Sequence, residues 1–223
     1  MAEAARKIGG FRRQPVIRWT GNRTEEETKM RLCSSLAEYE ALPEGVRCEV
    51  YEGRIVDMAS PNELHQTISQ ELGRRIGNHI YDRKGKCRVF SAPFDVVLQQ
   101  SPMIIVQPDI LVVCDRDKLD GKRCNGAPDL CIEIVSPGNP DNDYKVKAGY
   151  YQRFGVREYW IIDPQKRKVT VYDFDQVLFP DTPEPATSLE LPVWSYDFSD
   201  RVPVGIFDDL EIDFADLIAY AES

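Results

Sequence analysis

Two carboxylates beside apolar, strand-like segments are the residues of this sequence best suited to chemistry. Asp109 directly precedes the apolar segment 110–113, and Glu133 lies inside the apolar segment 130–135. A carboxylate in apolar surroundings is costly unless it is paired, hydrogen-bonded or bound to a metal. Because Mg²⁺ is commonly held by one or two carboxylates together with phosphate oxygens, the pair indicates a metal-dependent phosphodiesterase site.

The strand period leaves two interpretations of Glu133 open. Glu133 shares one face of the predicted strand with Cys131 and Val135, because side chains alternate along a strand. It is therefore either a group that points into a cleft or a buried ion-pair partner. A structural pair of acids without metal is a further alternative for Asp109 and Glu133.

A lysine on the predicted helix over residues 143–154 supplies the third group of such a site. Lys145 and Lys147 are both suited to stabilising charge that develops on a phosphate. The spacing favours Lys147, because it lies one helical turn after Asp143 and one turn before Tyr151. The ordinary alternative is a solvent-exposed ion pair between Asp143 and Lys147.

Histidine and nucleotide-binding chemistry find little support in the sequence. Only two histidines are present, which leaves little material for a histidine-rich metal site or a Ser-His-Asp arrangement. His65 lies near the start of a predicted helix, where it either borders the buried stripe or faces the cleft. The absence of a G-x-G-x-x-G, P-loop or nucleophile-elbow pattern argues against a nucleotide cofactor and an α/β-hydrolase.

The elements that must position these groups begin with a long helix. Ser60 as N-cap, Pro61 at the first helical position and Glu63 make a capping box that starts it. Apolar residues then recur at steps of four and predict one buried stripe: Leu64, Ile68, Leu72, Ile76 and Ile80.

The remaining pattern predicts a mixed α/β or α+β sandwich in which helices cover apolar central strands. A short helix over residues 29–42 precedes a hairpin whose strands, 47–51 and 54–58, flank the turn at Glu52-Gly53. Further strands are predicted over 88–91, 94–98, 110–114, 130–135, 158–162, 168–174, 191–194 and 202–206, with a closing helix over 214–220.

Composition bounds the class of protein. The 223 residues, 42% of them hydrophobic, suit one domain over residues 28–223 after a flexible basic extension over residues 1–27. The net charge of −9 repels a polyanion, so any contact with nucleic acid needs a local basic patch. Six dispersed cysteines indicate a reducing, cytoplasmic compartment without structural zinc, and no segment is long enough to span a membrane.

Several blocks of the sequence together resemble a known protein family. They are the segment 49–56, Ser60-Pro61 with His65, the segments 92–96 and 107–110, the segment 132–137, and Asp143, Lys147, Tyr151 and 155–160. On these blocks the chain resembles the Uma2 family, which lies within the PD-(D/E)XK nuclease superfamily, and the likeness extends over residues 28–220.

The resemblance implies a restriction-endonuclease-like core, Mg²⁺ (or Mn²⁺) as cofactor and DNA as partner. It implies that Asp109, Glu133 and Ile134 hold the metal and that His65 belongs to the catalytic group. An extra acid from an early element would be Glu49 or Glu52.

One position departs from the superfamily pattern. The usual lysine stands two residues after the second acid, where this sequence has Val135. Either Lys147 has taken over the role from the next helix or catalysis has been lost. The sequence thus supports two functions, a Mg²⁺-dependent DNA endonuclease and a catalytically silent DNA-binding or protein-interaction module. In either case a homodimer is expected for a soluble protein of this kind.

Overall fold

A computed structural model of the protein describes residues 31–136, 146–176 and 193–223. Four α-helices occur in the described residues, at Leu36–Glu40 (α1), Glu63–Asp82 (α2), Ala148–Phe154 (α3) and Phe214–Ala221 (α4). The described strands are Cys48–Tyr51 (β1), Arg54–Asp57 (β2), Arg88–Ser91 (β3), Val96–Gln100 (β4), Met103–Val106 (β5), Ile110–Val113 (β6), Cys124–Asn125 (β7), Leu130–Ile134 (β8), Glu158–Asp163 (β9), Lys168–Asp173 (β10), Val193–Asp197 (β11), Arg201–Pro203 (β12) and Glu211–Asp213 (β13).

These strands form two main sheets and one small one. The first has the order β2-β1-β5-β4-β7, the second has the order β11-β10-β9-β8-β6-β3, and β12 pairs with β13. In the six-stranded sheet, β8 runs parallel to β9 and antiparallel to β6. The predicted mixed α+β fold is confirmed.

The apolar central strands are buried on both faces. Ile110 and Val112 of β6 pack in the core that contains the stripe of α2, whereas Leu111 and Val113 pack in a second core with residues of the five-stranded sheet. Because side chains alternate along a strand, a continuous apolar segment is what such a two-sided environment requires. β8 continues the same alternation, and its Glu133 falls on the side of the five-stranded sheet.

The hairpin of β1 and β2 forms as predicted. Glu52 and Gly53 have φ values of 49° and 79°, so both residues of the two-residue turn lie in the left-handed region. A type I′ turn needs this conformation at both positions, and it matches the twist of the two strands.

The long helix has the predicted stripe but a different start. Ile68, Leu72, Ile76 and Ile80 are buried, as predicted. The predicted N-cap at Ser60 is wrong, because the side chain of Asn62 accepts the backbone N–H of His65 at 2.9 Å and the helix begins at Glu63. Asparagine caps a helix as well as serine does, so both Ser60 and Asn62 are residue types that can serve as the N-cap.

Two further predictions are corrected near the five-stranded sheet. The first helix is shorter than residues 29–42, since Ser35 caps it and Leu32 instead forms a bridge to Arg54. The sequence analysis also missed β5, a four-residue apolar segment that pairs antiparallel with β4. Short apolar segments of this kind carry no periodicity that separates a strand from other buried structure.

Some predictions lie partly or wholly outside the described residues. These are the extension over residues 1–27, the start of the fold at residue 28, the chain break after Pro137, and the positions of Asp143 and Lys145. The strand predicted over 191–194 overlaps β11, which is described from Val193, and the strand predicted over 202–206 overlaps β12, described as Arg201–Pro203. The closing helix is confirmed as α4.

A disulfide joins Cys87 and Cys114, so the expectation of reduced cysteines that the sequence suggested is wrong for this pair. β3 pairs with β6 so that Arg88 lies opposite Val113, and the same register continued by one residue sets the two cysteines opposite each other. Cys33, Cys48, Cys124 and Cys131 are free and buried. No helix among the described residues has the length and apolar character needed to cross a membrane.

Candidate active site

The pairing of β6 with β8 brings Asp109 and Glu133 together. Ile110 lies opposite Ile132 in this antiparallel pair, and the register continued by one residue sets Asp109 opposite Glu133. The backbone N–H of Ile134 donates to Asp109 Oδ2 at 2.8 Å, which holds the aspartate beside the end of β8. Two acids that are distant in sequence thus border one cavity.

Lys147 lies in the same cavity and contacts two carboxylates. Its Nζ is 2.9 Å from Oε1 of Glu133 and 3.1 Å from Oε1 of Glu49, and the three side chains are almost completely buried. Tyr151, one helical turn further on, donates its hydroxyl to Glu133 Oε1 at 2.8 Å. Lys147 and Tyr151, two of the three residues of the predicted helical face, therefore both contact Glu133, and the third, Asp143, lies outside the described residues. Glu133 is both a group that lines the cavity and a buried ion-pair partner.

Glu49, and not Glu52, is the acid from the early hairpin that reaches the site. Glu49 Oε1 accepts the backbone N–H of Gln107 at 2.9 Å, and its Oε2 accepts the hydroxyl of Tyr51 at 2.6 Å. Glu52 is exposed in the turn and lines a separate surface cleft with Tyr150. The placement of the hairpin explains the difference, because β1 pairs with β5 within the sheet and Glu49 is buried there, whereas Glu52 lies in the exposed turn.

His65 contacts Asp109 in the site and does not merely lie at the edge of the apolar stripe. Its Nε2 lies 3.1 Å from Asp109 Oδ2, and its side chain is 9% exposed. The other ring nitrogen, Nδ1, is buried without a hydrogen-bond partner among the described residues. His65 lies at the third helical position after the Asn62 cap, and its Nε2 contacts the same Asp109 oxygen as the N–H of Ile134.

Five side chains of the site line a cavity of about 350 Å³ between the two sheets and the start of α2: Glu49, His65, Asp109, Glu133 and Lys147. A neighbouring cleft of about 420 Å³ shares Ala59, His65 and Ser136 with this cavity. His65 thus separates two adjoining spaces, one that contains the carboxylates and one that opens toward the turn after β9.

Burial raises the pKa of two groups near Glu133, the hydroxyl of Tyr151 and the thiol of Cys131. Burial, reinforced by the charge of Glu133, raises the pKa of Tyr151 well above its usual value. Burial likewise raises the pKa of the Cys131 thiol. Tyr151 therefore stays protonated and acts as a hydrogen-bond donor to Glu133 across the physiological pH range.

The oxygen donors of the site fit one hard divalent cation. The described residues contain no cluster of three or more His, Cys, Asp or Glu side chains arranged around a metal position. Mg²⁺ does not need such a cluster, because it keeps several waters and takes one or two carboxylates. Asp109 uses only Oδ2 for its hydrogen bonds to described residues, so Oδ1 is the oxygen that can bind a cation.

Sequence reasoning missed three residues of the site. Tyr51 and Gln107 hold Glu49 in place, and Arg47 lines the cavity. The strand period gave a signal for two of them, because Arg47, Glu49 and Tyr51 alternate along one extended segment. Gln107 had no such signal, since it contributes a backbone N–H that any residue except proline could supply.

Comparisons with known proteins bear on this arrangement. The model of the family Uma2, described as "Putative restriction endonuclease", matches residues 36–199, which include all the site residues described above. The structure is also similar to a crystal structure of "a putative nuclease belonging to DUF820" from Anabaena variabilis, with a TM-score of 0.65 and 22% sequence identity. That similarity covers 84% of this chain and 98% of the other. No curated protein matches the sequence.

Proposed function

Because the chain belongs to the Uma2 family, we propose that it is a Mg²⁺-dependent endonuclease that hydrolyses phosphodiester bonds of DNA. The observation that carries the proposal is the position of Asp109 opposite Glu133 at the ends of two paired strands, with Lys147 2.9 Å from Glu133. Acids on adjacent central strands and a nearby ammonium group suit a site that binds a cation and a phosphate together.

Asp109 and Glu133, with the backbone carbonyl of Ile134, would hold the cation. When bound, Mg²⁺ would supply Lewis-acid chemistry, that is, a more acidic water and partial neutralisation of the phosphate charge. His65 and the N–H of Ile134 both contact Asp109 Oδ2 and so fix the orientation of that carboxylate. Hydrogen bonds to a metal-binding side chain orient that side chain, and their removal lowers metal affinity or activity.

Lys147 is proposed to take the role of the lysine that the usual motif places at position 135. Val135 is 7% exposed and packs in the core with Tyr151, so no charged group is available there. The ammonium group of Lys147 reaches Glu133 from the N-cap position of α3 instead. It would donate to a phosphate oxygen and stabilise the negative charge that develops during hydrolysis.

DNA is proposed as the substrate and a two-fold homodimer as the assembly. Two sites related by two-fold symmetry suit the cutting of two antiparallel strands. A cytoplasmic location goes with this proposal, because the substrate is there. The acidic balance of the chain means that contact with DNA must depend on local positive charge near the site.

Incubation of supercoiled plasmid with the pure protein and Mg²⁺ tests the proposal. We expect conversion to open-circular and linear DNA that EDTA abolishes and that Asp109→Ala and Lys147→Ala each reduce by at least about 100-fold. Lys168→Ala is a matched lysine control, because Lys168 lies in an exposed ion pair with Asp197. Cleavage that persists in EDTA and in Asp109→Ala would assign the activity to other groups or to a contaminant.

A second function is favoured by one specific observation. Lys147 contacts both Glu49 and Glu133, so each of these two buried carboxylates already has a cationic partner from the chain itself. Val135 occupies the usual lysine position. A catalytically silent module that binds DNA or a protein is consistent with such a network. Calorimetric titration with Mg²⁺ or Mn²⁺ separates the two functions, because the silent module would show no binding that depends on Asp109 and Glu133.

A further inference from the structure

Arg47 is a basic residue of the cavity that has no role in the mechanism above. It directly precedes β1 and lines the cavity together with Glu49, Asp109 and Glu133. The N–H of Met58 donates to the carbonyl of Arg47 at 3.0 Å, so the pairing of β1 with β2 continues to this residue. Because alternate residues of a strand share a face, Arg47 and Glu49 project from the same side of the hairpin.

The guanidinium group of Arg47 lacks the ion pairs that several other arginines of the described residues make. Arg31 pairs with Asp57, Arg75 with Glu71 and Arg83 with Asp209. Arg47 forms no ion pair with the described residues, although four acids line the same cavity. Its Nε is buried and has no hydrogen-bond partner in the described part of the chain.

Because Arg47 lines the cavity, a ligand bound there can supply the acceptor that its buried Nε–H lacks among the described residues. Nearly all buried donors in folded proteins have a partner. The ligand must bring oxygen acceptors and negative charge, and the planar guanidinium group suits a phosphate that it can bind through two parallel hydrogen bonds. Lys147 cannot take this role alone, because its ammonium group contacts two carboxylates.

We infer that Arg47 is a substrate-binding residue that holds a backbone phosphate of the nucleic acid strand beside the carboxylates. This inference rests on the proposed function. The positive charge of Arg47 would allow DNA, a polyanion, to bind in a cavity that four acidic side chains also line. The contact fixes the position of the strand and carries no base specificity, since it is made to phosphate.

Binding of a short fluorescent DNA duplex, followed by anisotropy in Ca²⁺ at several salt concentrations, tests the inference. We expect Arg47→Gln to raise the Kd at least about tenfold. We also expect it to reduce the magnitude of the slope of the logarithm of the association constant against the logarithm of the salt concentration by about one. Both effects should be equal for duplexes of different sequence. Arg47→Lys should recover part of the affinity, because it keeps the charge but not the two-pronged geometry. Arg54→Gln is the matched control, because Arg54 is exposed on the same hairpin and lies outside the cavity.

The outcomes separate this inference from the proposed nuclease activity. Unchanged affinity and salt slope in Arg47→Gln, with plasmid cleavage intact in the wild type, would overturn the role of Arg47 alone. An Arg47-dependent salt slope without Asp109-dependent cleavage would uphold Arg47 and overturn the nuclease. A wild-type protein that binds no duplex would overturn both. A loss of affinity with an unchanged salt slope would point to a structural role and would also overturn the inference.

Discussion

The Nζ atom of Lys147 lies 2.9 Å from Oε1 of Glu133, although Glu133 belongs to β8 and Lys147 is the N-cap residue of α3. Tyr151 donates to the same oxygen from the next turn of the helix. Glu133 is thus held by two groups of one helical face, and Lys147 connects it to Glu49 of the other sheet. This relationship couples the stability of the site to its proposed chemistry.

Removing Lys147 should destabilise the protein as well as inactivate it. Lys147→Ala leaves two buried carboxylates without their cation, and we expect a loss of about 3–5 kcal/mol in the free energy of unfolding. Urea denaturation at pH 7 measures this change. Lys168→Ala, which breaks an exposed ion pair, should cost only about 0–1 kcal/mol.

A double variant tests the physical reason for that loss. Combining Lys147→Met with Glu133→Gln removes the charge from both partners of the ion pair. The double variant should therefore lose less free energy of unfolding than the two single variants lose in sum. If the two losses are additive, Lys147 and Glu133 are not energetically coupled and the ion pair is not the cause.

Mg²⁺ should stabilise the wild-type protein through Asp109. A ligand present at 100 times its Kd adds about 2.7 kcal/mol to the free energy of unfolding. We therefore expect Mg²⁺ to raise the melting temperature of the wild type, EDTA to reverse the rise, and Asp109→Asn to abolish it.

The alternative of a structural acid pair makes the opposite prediction for the same variant. In that case Asp109→Asn would lower the melting temperature without Mg²⁺, because it would weaken the contacts with His65 and Ile134, and the wild type would not respond to the cation. Differential scanning fluorimetry across a Mg²⁺ series distinguishes these outcomes.

Glu71 should contribute stability that disappears in acid. Hydrogen bonds from Arg74, together with those from Arg75, lower the pKa of Glu71 from 4.5 to about 2. Because the folded state lowers this pKa, the contribution is complete above about pH 4.5 and is lost as the pH falls toward 2.

The variant Glu71→Gln isolates this contribution. It should be less stable than the wild type at pH 7 by about 1–3 kcal/mol and should show a flatter dependence of stability on pH between 4.5 and 2. Urea denaturation at a series of pH values measures both effects. A variant that keeps the wild-type pH dependence would show that other carboxylates cause it.

The stripe of α2 should account for much of the stability of the six-stranded sheet. Leu72 is completely buried in the core beneath the helix. We expect Leu72→Ala to cost about 2–5 kcal/mol, because it removes apolar contacts and leaves a cavity. Tyr81→Ala on the same helix is the control, since Tyr81 is 82% exposed and its removal should change stability by less than about 0.5 kcal/mol.

Local sequence determined the elements that carry periodic or conformational signals. The stripe from Ile68 to Ile80 repeats at the helical period, and Glu52-Gly53 has the conformational freedom that a tight hairpin turn needs. The segments around Asp109 and Glu133 are apolar because both faces of their strands are buried. These signals act over a few residues, so they can be recognised without knowledge of the fold.

Only the tertiary structure decided which groups meet in the site. The pairing of Asp109 with Glu133 follows from the register of β6 and β8, and the choice of Glu49 over Glu52 follows from the placement of the hairpin in the other sheet. The sequence alone likewise did not decide the position of His65, because the start of α2 at the Asn62 cap fixes the direction in which the histidine points. Register, sheet order and helix phase depend on contacts between distant segments, and no short stretch of sequence contains that information.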